Sequence, residues 1–161
     1  MSNESKARTI TVAVVLSVVC SLALAAAVTL LKPIQDVNRA LDKQRKILAA
    51  VGVLAEGEGD AEQVQSEFAR LERYLVDIDS GAFSRIALDD PYDQRKATRD
   101  PKKSIALTPE QDIASLKRRA LQADVYVLRG PDGKASRLVL PISGYGLWST
   151  LYGYLVLKSD A

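Results

Sequence analysis

An α+β protein, with one N-terminal transmembrane helix followed by helices and a small antiparallel sheet, is predicted by three features of the 161-residue chain. Residues Thr9 to Leu31 form an uncharged apolar run. Apolar residues then recur at helical spacing behind Pro33 and again from Val64. Nearer the C-terminus, two β-rich runs are joined by Gly130-Pro131-Asp132-Gly133-Lys134, whose turn chemistry makes a hairpin of its flanks.

The apolar run reads TITVAVVLSVVCSLALAAAVTLL, twenty-three residues without charge, Pro or Gly. At about 1.5 Å per residue, a helix of that length crosses a hydrocarbon core of about 30 Å. A cleavable signal peptide shares the basic start, Lys6 and Arg8, and Ala25-Ala26-Ala27 has the form of a cleavage site. Because the run continues through Val28-Thr29-Leu30-Leu31, where a cleaved signal turns polar, an uncleaved anchor is favoured. Cys20 follows Val19 rather than a small residue, so it reads as a lipid-facing or helix-packing thiol and not as a lipidation site. Two basic residues precede the span and five follow it closely (Lys32, Arg39, Lys43, Arg45 and Lys46). Positive-inside counting therefore places the larger part in the cytoplasm, under a rule that weakens for long domains.

From Lys32 onward there are 130 residues, enough for one modest domain. They carry 20 Lys or Arg against 19 Asp or Glu, a balance that gives no long-range pull on nucleic acid. One cysteine excludes an internal disulfide, and the absence of histidine removes imidazole metal sites and imidazole acid–base catalysis. Any chemistry must come from a bound cofactor, from carboxylates, or from elsewhere.

Pro33 suits the first turn of a new helix, and Ile34, Val37, Leu41, Leu48 and Val51 form a stripe along it, with Gly52 as the place it loosens. Asp42, Lys43, Arg45 and Lys46 lie on its polar face, either solvated or docked on a neighbouring membrane protein. Glu56-Gly57-Glu58-Gly59-Asp60 reads as an acidic surface loop. A second helix carries Val64, Phe68, Leu71 and Leu75, then gives way to an alternating strand over 75–79 and a Ser80-Gly81 turn. Residues 87–103, dense in charge, fit no regular element and read as a solvated loop or an arm across the domain. Arg95, Lys96, Arg99, Lys102 and Lys103 could face a phosphate there. Thr108-Pro109-Glu110-Gln111 has the residues of a capping box, predicting a helix with Ile113, Leu116 and Ala120 on one face and Lys117, Arg118 and Arg119 in its last turn. Strands are expected over 123–129 and 137–142, and Gly144-Tyr145-Gly146 interrupts the pattern before a third run over 147–157. Three strands with large aromatic residues want further cover, so the sequence is expected to be a fragment.

Ser143-Gly144-Tyr145-Gly146-Leu147-Trp148-Ser149 is the candidate ligand contact. Gly144 and Gly146 would let backbone approach a flat ring or take positive φ, and Trp148 could stack on that ring. A glycine-rich turn beside a core Trp is the competing interpretation.

Four motifs follow the anchor in order: Leu41-Asp42-Lys43-Gln44-Arg45-Lys46-Ile47-Leu48, Tyr92-Asp93-Gln94-Arg95-Lys96-Ala97, Ser104-Ile105-Ala106-Leu107-Thr108-Pro109-Glu110, and Gly144-Tyr145-Gly146-Leu147-Trp148-Ser149. With the anchor they resemble the C subunit of the bacterial sodium-translocating NADH:quinone reductase over the whole chain. The G subunit of the Rnf-type electron transport complex is a more distant likeness. The resemblance implies a single-pass inner-membrane protein with a periplasmic domain, overriding the charge count. It also implies a place beside five other subunits in a complex that oxidises NADH with ubiquinone and exports sodium. Electrons would pass through FMN bound covalently to a Thr in a Ser-Gly-Ala-Thr motif. That motif does not occur in this sequence, so no attachment residue is assigned; Gly144, Gly146, Leu147, Trp148 and Ser149 carry over as flavin surroundings.

The implied organisation is a tail over 1–8, a transmembrane helix over 9–31, an amphipathic stalk helix over 32–55, and the N-terminal part of an FMN-binding domain over 56–161. A structural or assembly role, or a small-ligand-binding ectodomain without redox activity, is the alternative. Asp77, Asp79, Asp89, Asp90 and Asp93 read as solvated loop carboxylates rather than sodium ligands, because the one span holds no acid.

Overall fold

A computed structural model describes residues 3–158 and divides into two compact units, residues 1–42 and 43–161. The expectation about the chain end at Lys158 to Ala161, and that about the first residues of the tail, fall largely outside the described residues.

Helix α1 (Asn3–Val51) begins in the first unit and ends in the second. Among the described residues it is the one helix long and apolar enough to cross a membrane. Two of its hydroxyls are satisfied within the helix: Thr11 Oγ1 donates to the Ala7 carbonyl at 2.9 Å and Thr29 Oγ1 to the Ala25 carbonyl at 2.8 Å. Such back-bonding lets a polar side chain face hydrocarbon. Pro33 lies inside the helix and does not begin a new one, contrary to the sequence reading. Its ring removes a single backbone donor, a loss that one turn of an otherwise unbroken helix absorbs.

In the second unit, the end of α1 buries Ile47, Leu48 and Val51. Gly52, at φ +76°, closes the helix, its N–H donating to Ala49 O and that of Val53 to Leu48 O, both at 3.0 Å. That paired closure needs a left-handed residue, which is why glycine stands there. Lys43 and Arg45, expected on a solvated or docking face, turn to partners within this unit: Lys43 Nζ donates to Asp124 Oδ2 at 3.1 Å, and Arg45 Nη2 to the Gly59 carbonyl at 3.0 Å.

Helix α2 (Ala61–Phe68) starts at Asp60, whose carboxylate accepts from Gln63 N at 2.8 Å, and buries Val64 and Phe68. It stops before Leu71. Leu71, read as helical, and Leu75, read as the handover from helix to strand, both lie in strand β1 (Leu71–Asp77). Both residues suit either period, and pairing with two neighbouring strands decides for the sheet.

Strand β1 pairs with β2 (Phe83–Ile86) on one side and β5 (Gln122–Arg129) on the other. Strands β6 (Ala135–Tyr145) and β7 (Thr150–Lys158) complete an antiparallel five-stranded sheet in the order β2-β1-β5-β6-β7. Tyr126 and Val139, paired in register, are buried, and the Phe68 and Tyr126 rings lie 5.7 Å apart.

Residues 87–103 are more ordered than their composition suggests. They contain helix α3 (Gln94–Arg99), capped by Asp93 and burying Ala97. The segment before it is fastened by Arg73, whose guanidinium donates to the carbonyls of Leu88, Asp90 and Tyr92 at 3.3, 2.7 and 2.8 Å.

No helix forms over 108–120. Residues 108–117 make turns, and Arg118–Ala120 becomes β4, paired with β3 (Ser104–Ala106). The Asp112 carboxylate accepts from Leu116 N and Lys117 N at 2.6 and 2.8 Å, and Ser115 and Lys117 take positive φ, so the helical ladder is replaced locally.

Candidate functional site

The candidate contact residues lie at the β6–β7 hairpin. Gly144 and Tyr145 belong to β6, continuing it rather than breaking it. Tyr145 pairs with Thr150, and Gly146 N donates to Ser149 O at 2.9 Å, so residues 146–149 form the hairpin apex. Leu147 and Trp148 project from it, 87% and 90% exposed. The competing reading of Trp148 as a core residue does not hold, because the apex reaches beyond the last pair of the sheet.

Neither Gly144 nor Gly146 has positive φ. Gly146 is required for a different reason: a Cβ there would stand 2.9 Å from Leu151 Cγ and 3.0 Å from Ser149 O. A Cβ at Gly144 would meet only Ala114 Cβ, at 4.0 Å.

A second loop reaches the same place. Tyr145 N donates to the Ala114 carbonyl at 2.8 Å, which sets the 108–117 loop against the base of the apex. Ile113, next to Ala114, is 92% exposed. The apex and this loop leave Ile113, Tyr145, Leu147, Trp148 and Leu151 exposed to solvent, with Tyr145 and Leu151 on opposite faces of the hairpin by register. Sequence reasoning placed Ile113 on the packed face of a helix. Only the loss of that helix exposes it.

The basic residues between 95 and 103 do not converge on one anion site. The Arg95 guanidinium stacks 3.9 Å from the centroid of the Tyr152 ring on β7, a cation–π contact. Lys96 and Lys103 line a cavity of about 160 Å³ with Tyr92, Asp93 and Asp100. The phenol of Tyr92 donates to Gln122 O at 2.7 Å, and burial, with the nearby Asp124 and Asp93 carboxylates, pushes its pKa to about 12.

Asp77, Asp79 and Asp90 have local partners. Asp77 accepts from Ser80 Oγ and Ser80 N, which hold its carboxyl below the usual value of 3.8. Asp79 pairs with Arg119, and Asp90 Oδ1 accepts from Tyr92 N. Among the described residues no cluster of His, Cys, Asp or Glu could hold a metal ion.

No family model matches the chain. Individual proteins do. The C subunit of the Na(+)-translocating NADH-quinone reductase of Yersinia pestis is 44% identical, over 99% of this chain and 59% of its own length. The protein of that name from Pseudomonas aeruginosa is 47% identical, over 99% of this chain and 60% of its own. The chain is a homologue of these C subunits. The crystal structure of Shewanella oneidensis NqrC matches with a TM-score of 0.63 and 33% identity, over 76% of this chain and 55% of that one. The corresponding protein from Parabacteroides distasonis, 22% identical with a TM-score of 0.51, supports the fold alone. The chain thus spans about three fifths of the length of these relatives.

Proposed function

We propose that this chain acts as the membrane-anchored flavoprotein, the C subunit, of a sodium-translocating NADH:quinone reductase. In this reading it is held in the bacterial inner membrane by α1, presents its sheet to the periplasm, and works beside five further subunits. The observation that carries the reading is similarity over 99% of the chain to proteins of that name.

The hairpin geometry supports a place for the flavin ring. An exposed indole at the apex, next to Leu147 in the chain, offers a face of the kind a flat heteroaromatic ring stacks on. The same residues offer nothing for a phosphate: Arg95 is committed to Tyr152, and Ser-Gly-Ala-Thr is absent from the sequence. The exposed indole supports the ring placement, and no Ser-Gly-Ala-Thr motif occurs among these 161 residues.

Bound FMN would supply one- and two-electron transfer. The chain's own part is positional: Gly146 permits the tight apex, Trp148 and Leu147 cover a ring face, and the bond from Tyr145 N to Ala114 O holds the second loop in place. Gly144 and Ser149 frame the turn.

The test is to express this sequence, joined to the remainder of a relative's chain, in a host able to attach flavin. Expected results are a yellow fluorescent band on a denaturing gel and NADH-dependent quinone reduction in membranes. A colourless band sinks the flavin assignment. A topology reporter active only in the cytoplasm would overturn the periplasmic one.

A further inference from the structure

In the second unit, the end of α1 lies along β6 and runs opposite to it. At one end, a Cβ on Gly52 would stand 3.3 Å from Nη1 of Arg137, near the start of β6. At the other, Lys43 Nζ sits 3.1 Å from Asp124 Oδ2 and 5.5 Å from the centre of the Tyr126 ring, whose backbone pairs with Val139. Burial raises the pKa of the Tyr154 phenol and the Lys43 charge opposes that rise, so Lys43 also lies near Tyr154, the partner of Pro141. Helix from Lys43 to Gly52 and strand from Arg137 to Pro141 each cover about 13 Å, so these contacts agree. Followed toward its N-terminus, this part of α1 points the way β6 runs, to the apex at residues 146–149.

That direction is also the one in which the chain continues into the apolar run. Lys43 follows Leu31, the last residue of the run, by twelve residues, about 18 Å of helix. Leu147 follows Pro141 by six residues, about 20 Å of strand. The apex thus has the reach to meet a bilayer surface, and its chemistry suits that layer. No charged residue stands between Arg137 and Lys158, so entry desolvates no ion. Leu147 and Trp148 are the residues that project, and an indole, an apolar body with one N–H, collects at the headgroup level.

We propose that the β6–β7 apex inserts Leu147 and Trp148 into the headgroup layer of the bilayer that α1 crosses, giving the second unit its own hold on the membrane. A lipid surface is favoured over a protein partner because the anchor in the same chain keeps that surface at high effective concentration. The inference rests on the anchoring role of α1 and not on flavin binding.

The experiment reconstitutes the full 161-residue chain, free of flavin, in phosphatidylcholine vesicles. Flotation of the chain with the vesicles after an alkaline wash reads the anchor separately from the apex. Trp148 is the sole tryptophan, so its emission reads the apex. Expected are a blue-shifted emission, stronger quenching by lipids carrying a nitroxide near the headgroup than near the bilayer centre, and protection from aqueous iodide. Leu147→Glu should return the emission to the red and remove the lipid quenching, whereas Phe83→Glu on β2, at the opposite end of the sheet and 73% exposed, should change neither. Readings on the unaltered chain decide the matter even where a variant misfolds. The proposal is overturned if Trp148 of the floated chain is quenched by iodide and not by lipid nitroxide, or if both variants lose the quenching equally. A blue shift that grows with protein density and shows no lipid quenching overturns it in favour of a second copy on the apex. Failure of the chain to float overturns the anchor and the proposal together.

Discussion

Arg73 and Asp124, on the adjacent strands β1 and β5, form a two-pronged ion pair almost wholly shielded from water. Arg73 Nε lies 2.7 Å from Asp124 Oδ1, and Nη2 lies 3.1 Å from Oδ2. Burial, the largest single influence, lowers the Arg73 pKa, and the hydrogen bond to Asp124 together with the charges of Tyr126, Asp124 and Asp90 outweighs it, so the net shift is upward. Lys43 and the Tyr126 hydroxyl also donate to Asp124, and Gln94 Oε1 accepts from its backbone N–H. One carboxylate thus ties the end of α1, the sheet and the α3 segment together.

Asp124→Asn should therefore be among the most damaging single changes outside the apolar core. It leaves a buried guanidinium without its counter-charge, held only by the carbonyls of Leu88, Asp90 and Tyr92, at a cost of about 3 to 5 kcal/mol. Urea unfolding of the detergent-solubilised chain reads the loss. Replacing Arg73 by Met and Asp124 by Leu together should cost less than the single change, because no buried charge is left unpaired.

Ile47→Ala removes a side chain with no exposed surface and should destabilise the second unit by about 2 to 5 kcal/mol. Ile34→Ala, on the same helix but 60% exposed, should move the same urea midpoint by less than about 0.5 kcal/mol. Equal effects would contradict the burial assigned to Ile47.

Lys117 is exposed and sits at φ +65°, a left-handed conformation that costs a non-glycine residue about 1 to 2 kcal/mol. Glycine lacks that cost but adds about 0.5 to 1 kcal/mol of unfolded-chain entropy. Lys117→Gly should then raise stability by about 0.5 to 1 kcal/mol, seen as a higher thermal midpoint. Were residues 108–117 a helix, the same change would lower it.

Gly146→Ala forces a methyl group against Leu151 and the Ser149 carbonyl. The apex must open, at about 1 to 3 kcal/mol. Trp148 is the sole tryptophan, so its emission reports on the hairpin alone. A changed spectrum and weaker quenching by added free FMN are expected.

Tyr92 has its pKa raised from 10.0 to about 12 in the folded chain, chiefly through burial. The folded state then holds a proton that the unfolded state releases more readily. Its contribution is complete below pH 10 and disappears as pH rises through about 12. Denaturation midpoints between those limits should fall with pH, and Tyr92→Phe should flatten that slope while losing the bond to Gln122 O.

Much of the architecture was legible in short windows. The length and apolarity of Thr9–Leu31, the turn at Gly130–Lys134, the α2 core residues Val64 and Phe68, and Gly52 as the end of α1 each depend on near neighbours. Sequence alone determined a helix long and apolar enough to cross a membrane, an α+β class and the hairpin turning at Gly130–Lys134, because apolar run length and turn chemistry act within a few residues. Tertiary structure decided the rest. Leu71 and Leu75 satisfied two periods, and β2 and β5 chose between them. The capping box at Thr108 was overridden when β3 drew Arg118–Ala120 into a strand and Asp112 took the backbone donors. The exposure of Ile113 beside Tyr145, and the stacking of Arg95 on Tyr152, required residues more than thirty positions apart to meet. Such meetings follow from which sheet face packs inward, a choice made by the whole core and written in no single segment.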